Sequence, residues 1–171
     1  MTDIKSSATA DWEARLADLL PLFGHRNWIV VADAAYPAQS RPGIETIVAD
    51  ADQLEVLRKV LSAISASKHI RASIYLDLEL KFVAEQDAPG VAGYREKVEA
   101  LFAASNLSRL PHEQIISRLD QSAQVFRILI IKTEMIIPYT SVFFELDCGY
   151  WNAEAEQRLR KAILEAEGRE N

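Results

Sequence analysis

The sequence predicts an α/β fold, a single three-layer α/β/α domain built on a mostly parallel sheet. Three observations point there. Apolar runs of strand length alternate with segments of helical period along most of the chain. The run Trp28-Ile29-Val30-Val31-Ala32 is continuously apolar and bounded by turn signals, the pattern of a buried strand. Ile74, Leu76, Leu78, Leu80 and Phe82 alternate with Tyr75, Asp77, Glu79 and Lys81, a clear period of two.

Taken in order, residues 1–10 are polar and expected to form a flexible N-terminus. Asp11 can cap a helix to about Phe23, with Trp12, Leu16, Leu19, Leu20 and Phe23 at helical spacing. Gly24 stops it. The first strand ends at Asp33 and gives way to a loop with Tyr36, Pro37, Gln39, Ser40, Pro42 and Gly43. Ile44 to Ala49 reads as a short strand, and Asp50 or Asp52 can start the next helix. That helix carries Leu54, Leu57, Val60, Leu61 and Ile64 on one side. The alternating run Ile74–Phe82 follows as a strand whose polar face suits an edge, solvent or a subunit partner. Pro89 and Gly90 break the chain before a helix from about Tyr94 to Ala104, and Pro111 opens the helix HEQIISRLDQSAQ. Val125–Ile131 and Val142–Leu146 supply two more strands. Asn152 then caps a charged helix to about Glu167.

Composition removes several classes of function. The 171 residues fit one domain, and 49% apolar with 26% charged residues is ordinary for a globular chain. A net charge of -6 and no Lys/Arg block argue against nucleic acid as partner. The most apolar long window, Val125–Leu146, is interrupted by Arg127, Lys132, Glu134 and Glu145, so no membrane span is expected. The segment TDIKSSATAD lacks the apolar core of a signal peptide. Cys148 stands alone, which leaves no internal disulfide and fits a reducing, cytoplasmic setting. Neither GxGxxG nor GxxxxGK[ST] occurs, which weakens a nucleotide-binding reading, and GxSxG is missing too. His25, His69 and His112 lie too far apart to suggest a metal site, so the expectation is no metal.

Four places could carry chemistry. His25 can both accept and donate a proton near neutral pH, or serve as a cation at a helix C-terminus. Asp33, at a strand end, can hold hydroxyl groups or close an Asx-turn. Pro138-Tyr139-Thr140-Ser141 places a phenol and a small hydroxyl on a bent backbone suited to a polyol, or simply begins an edge strand. His112-Glu113-Gln114 can furnish donors and acceptors, or form a solvated first turn. His69, before the long strand, reads as a surface residue.

The stretch Gly24–Ser40, GHRNWIVVADAAYPAQS, resembles the signature of the D-ribose pyranase and L-fucose mutarotase (RbsD/FucU-like) family. The resemblance runs over residues 11–151, with 152–171 as an additional C-terminal helix. ADAAYPAQS and ETIVAD resemble the fucose branch, His112-Glu113-Gln114 the ribose branch, and PYTSVFFELDCG the terminal Tyr-x-Asn strand. His25, Asp33, His112 and Tyr139 match family site residues by position. Asn27 replaces an aspartate, Ala35 and Gln39 replace histidines, Val48 an arginine and Ser141 an asparagine. RILIIKTEMII also replaces a shorter segment.

The resemblance implies a cytoplasmic isomerase that interconverts ring or anomeric forms of a monosaccharide without cofactor. His25 would be catalytic, and Asp33, His112, Tyr139 and Ser141 would bind substrate. It also implies a homo-oligomer with sites between subunits. Distance agrees, because the strand separates His25 from Asp33 by roughly 17–20 Å, too far for one monosaccharide to bridge. Ile74–Phe82, Phe143, Phe144, Tyr150 and Trp151 offer apolar surface for such contacts. The alternative is a non-catalytic sugar-binding or assembly module of the same fold, which the five substitutions favour.

Overall fold

The computed structural model describes residues 9–168. Its strands are β1 (Trp28–Ala32), β2 (Ile44–Val48), β3 (Ile70–Asp77), β4 (Leu107–Leu110), β5 (Ile128–Lys132) and β6 (Val142–Cys148). They form one sheet in the order β2-β5-β1-β6-β3-β4. Five strands point the same way, and β6 alone runs antiparallel, between β1 and β3. β1 is apolar on every position because it is interior to the sheet and covered on both faces; all five of its residues are fully buried.

Helices α1 (Thr9–Leu19), α2 (Gln53–Ala66) and α3 (Val91–Leu101) cover one face. There Trp12, Leu16, Leu57, Val60 and Val98 pack against Ile29, Val31, Leu129, Ile131 and Phe144. Helix α4 (His112–Ser122) covers the other face, with Ile115 and Leu119 against Trp28, Val30, Ile128, Ile130 and Phe143. A fifth helix, α5 (Ala153–Glu167), is capped by Asn152 through its bond from the Ala155 N–H and buries none of its residues. Asp52 is the cap of α2, accepting from the Leu54 and Glu55 N–H groups. No helix of the described residues is long and apolar enough to cross a membrane.

Several boundaries differ from the sequence expectation, each for a local reason. The alternating run does not stay a strand to Phe82. β3 begins earlier, at Ile70, and ends at Asp77: Leu76 pairs with Val142, the first residue of β6, and Asp77 with Leu110, the last of β4. With no backbone left to pair, Leu78–Phe82 turns into a short 3-10 helix. β3 is not an edge either. Its polar residues meet β6: Arg71 donates to Asp147 and Tyr75 to Glu145. The edge on that side is β4, a four-residue strand the sequence reading leaves as loop.

Helix α3 starts at Val91, three residues early, because the Glu85 carboxylate accepts from the Gly90 and Ala92 N–H groups and caps it. Helix α1 begins at Thr9, which places Asp11 inside it instead of at its cap, and residues 1–8 of the expected flexible segment lie outside the described residues. Residues 125–127 are turn, not strand, and β6 continues to Cys148. Phe143 and Phe144 are fully buried and so are not available to a partner chain.

Gly149 follows β6 where the chain passes Lys68–Ile70. A Cβ there would sit 2.7 Å from Lys68 O and 2.8 Å from both Ile70 N and Ile70 O. All three are backbone atoms that cannot step aside. Gly149→Ala should therefore destabilise the fold by about 1–3 kcal/mol, as overpacking does, and thermal denaturation with unchanged cooperativity will measure it.

Candidate functional site

The carboxyl ends of β1 and β3, the N-terminus of α4 and the loop before β6 meet around a cleft of about 670 Å3. Open α/β sheets bind ligands at this kind of edge. Asp33, Tyr36, Asp77, His112 and Tyr139 line it, together with an apolar lip of Met135, Ile136 and Ile137.

Asp33 is held by three contacts. Its Oδ1 accepts from the Ala35 N–H at 2.9 Å, an Asx-turn, and its Oδ2 accepts from the Ser141 hydroxyl at 2.8 Å. Ser141 Oγ in turn accepts from the Asp33 N–H at 3.1 Å. Ser141 is 2% exposed and stands behind the carboxylate, not on the cleft wall. Its role is to aim Asp33.

His112 opens α4, and its backbone N–H is received by the Glu79 carboxylate at 3.0–3.1 Å. Its ring Nδ1 lies 3.0 Å from Asp77 Oδ2, and its ring meets Tyr139 edge-on at 5.8 Å between centroids. Asp77 is 1% exposed. Burial pushes its carboxyl up to about 6, against the pull of the His112 ring and with a further push from Glu79 and Asp33. Asp77 Oδ1 and the Tyr36 hydroxyl are buried without a partner among the described residues. Burial also pushes the Tyr36 phenol far up, helped by Asp120, Asp77 and Asp33.

Beneath the cleft a buried network holds the loop that carries Tyr139. Gln53, fully buried, donates to the Tyr94 hydroxyl at 2.9 Å and to the Thr140 carbonyl. Tyr94 donates to the same carbonyl at 2.9 Å. Thr133 Oγ1 lies 3.0 Å from both Gln53 Oε1 and Ala32 O, and the Ala34 N–H reaches Met135 O at 2.7 Å. Tyr139 itself adopts φ 59°, a left-handed conformation that a bulky residue takes only where its surroundings impose it.

His25 lies elsewhere, before β1 and at the opposite end of the sheet. Its Nδ1 is 2.7 Å from Asp147 Oδ1, and its Nε2 accepts from Arg26 Nε at 3.2 Å. Partial burial pushes the Asp147 carboxyl up, but bonds from Arg71, the Cys148 N–H and His25 hold it below its usual range. Asn27 closes the turn by accepting from the Gly24 N–H and donating to Arg127 O. His69 hydrogen-bonds the carbonyls of Leu20 and Phe23 at the end of the first helix, half-buried and not free on the surface.

The structure thus brings together Asp33, His112 and Tyr139, sets Ser141 behind Asp33, and leaves His25 apart. Asp77, Tyr36 and Gln53 escaped the sequence reading. Asp77 had a signal, since like Asp33 it is a carboxylate closing a strand. Among the described residues, no three His, Cys, Asp or Glu side chains are grouped to hold a metal ion.

The model of the RbsD / FucU transport protein family matches residues 12–148. Bacillus subtilis RbsD complexed with D-ribose superposes with TM-score 0.56 at 17% identity, covering 86% of this chain and 96% of that one. Fucose mutarotase from Streptococcus pneumoniae in complex with L-fucose gives 0.53 at 21% identity, covering 83% and 97%. FucU from Bifidobacterium longum gives 0.53 at 17%, covering 78% and 92%. At these identities the likeness shows the fold. No protein of curated function matches the sequence.

The Gln53 network yields a direct expectation. Gln53→Ala removes the partner of several buried polar groups, each costing about 1–3 kcal/mol when left unmade. The urea midpoint should fall with the slope unchanged, and hydrogen exchange should quicken in 133–141 before it does in β1.

Proposed function

Since this chain belongs to the RbsD / FucU transport protein family over residues 12–148, we propose that it is a monosaccharide mutarotase or pyranase. The observation that carries the proposal is the meeting of Asp33, His112 and Tyr139 in one cleft. Ring opening of a sugar needs a base to take the anomeric hydroxyl proton and an acid to protonate the ring oxygen. As the O–H pair becomes a carbonyl, the bond from the anomeric carbon to the ring oxygen breaks. Closing again from the other face, or through another hydroxyl, gives the second anomer or ring size. No electrons enter or leave.

In this reading Asp33 accepts from sugar hydroxyls, with Ser141 fixing its orientation, while His112 and Tyr139 hold others. Among the described residues, the cleft wall carries carboxylates and phenols and no Lys or Arg. Such a wall suits an uncharged polyol and opposes a phosphorylated sugar. His25 moves a proton, and it does so in the cleft of a neighbouring copy. Its side chain is 59% exposed, and β1 separates it from Asp33 of its own chain by roughly 17 Å. The chain is thus read as a homo-oligomer with shared sites. Exposed Phe82, Ile136, Tyr150 and Trp151, and the apolar Leu159, Ile163 and Leu164 of α5, are surface available for its contacts.

Saturation-transfer NMR on neutral monosaccharides tests the activity. Exchange between ring forms, accelerated by the protein and reduced on the order of a hundredfold in His25→Ala, is the expected result. Binding without exchange supports the alternative, a non-catalytic sugar-binding module, and full exchange in the variant makes His25 only a cap. The shared site has its own test. His25→Ala and His112→Ala, each inactive alone, should regain activity when their subunits are mixed and reassembled. A monomer in sedimentation that still turns over sugar refutes it.

A further inference from the structure

Asp77 reaches the cleft from the end of β3, with one oxygen on the His112 ring and the other buried without a partner. His112 Nδ1 is taken by this contact, whereas Nε2 makes no hydrogen bond with any described residue. A carboxylate can only accept, so an ionised Asp77 requires the proton to be on Nδ1. In the neutral ring Nε2 then keeps its lone pair. The Glu79 carboxylate on the His112 backbone N–H anchors the residue at the start of α4.

We propose that Asp77 is a positioning residue that fixes His112 in its Nδ1–H tautomer, so that Nε2 is an acceptor for a ligand hydroxyl. The assignment rests on the monosaccharide reading for what the acceptor meets, but not for the tautomer itself. It turns His112 from a generic hydrogen-bonding wall into a directional one. A sugar must present a hydroxyl hydrogen to Nε2, and the Tyr139 ring packed edge-on against the imidazole restrains how the ring can turn.

Protonation bounds the pH range. The groups facing the pair are Asp33 from the end of β1, Glu79 from the turn after β3, Tyr36 and Tyr139 from the loops, and exposed Glu113 beside His112 on α4. Among the described residues, the wall carries no Lys or Arg. Because burial raises the Asp77 carboxyl to about 6, Asp77 is an acceptor-only partner for the ring above that pH. As pH falls through it, Asp77 gains a proton and no longer fixes the tautomer.

Two-bond proton–nitrogen NMR of the histidine rings tests this without any sugar, the His112 signals being assigned by their loss in His112→Gln. At pH 7.5 the whole protein should show His112 as the Nδ1–H tautomer. In Asp77→Asn the introduced amide can donate to Nδ1, and the signal should switch to Nε2–H. Affinity for a neutral monosaccharide found to bind should fall about tenfold in this variant, the cost of one hydrogen bond. An Nε2–H tautomer in the unsubstituted protein overturns the proposal, even if the variant does not fold. An unchanged tautomer in a folded Asp77→Asn overturns it as well. If the tautomers behave as expected and no monosaccharide binds, the pair stands and the sugar reading falls.

Discussion

One buried carboxamide conditions the architecture of the cleft. Gln53 is the first residue of α2, yet its side chain is turned inward and is 0% exposed. From there it joins α3 through Tyr94, the end of β5 through Thr133 and the start of β6 through the Thr140 carbonyl. An amide has both donors and an acceptor, so one residue can satisfy partners of both kinds where no water reaches. The left-handed backbone of Tyr139 is sustained by these neighbours. Without them, the loop carrying a cleft residue would have little reason to hold that shape.

Above this knot the cleft is electrostatically one-sided. Asp33 and Asp77 come from strand ends, and Glu79 stands close enough to push Asp77 upward. Accumulating acceptors in a half-buried place is unfavourable unless each is oriented, and each is: Asp33 by Ser141 and the Ala35 N–H, Asp77 by His112, Glu79 by the His112 N–H. The local networks give the carboxylates fixed directions, which is what recognition of hydroxyl groups requires.

Much of this was legible in the sequence where a pattern is local. Trp28–Ala32 announced a buried strand, Asp52 and Asn152 announced helix caps, and the Gly-His and HEQ stretches pointed to the family. What was not legible depends on distant partners. The end of β3 is set by where β4 and β6 stop, which no periodicity within Ile74–Phe82 records. β4, with Ser108 and Arg109 in four residues, is a strand only because β3 lies beside it. Asp77 looked like one polar residue of an alternating face, and its meaning came from His112, thirty-five positions away. Ser141 was visible as a hydroxyl near a tyrosine, but its burial behind Asp33 was not.

The reversed strand has a consequence for how the chain is made. β6 supplies the link between two partial sheets, β2-β5-β1 on one side and β3-β4 on the other. Until it arrives, one edge of β1 and one edge of β3 have no partner, and both are rich in apolar side chains. During synthesis every element up to β5 precedes it, so these edges stay open until residues 142–148 leave the ribosome. Unpaired edges of this kind invite association between chains. The closing contacts are also far apart in sequence, the class of pairing that costs the most chain entropy to form. The one strand that runs against the others also seals the nascent chain against its neighbours.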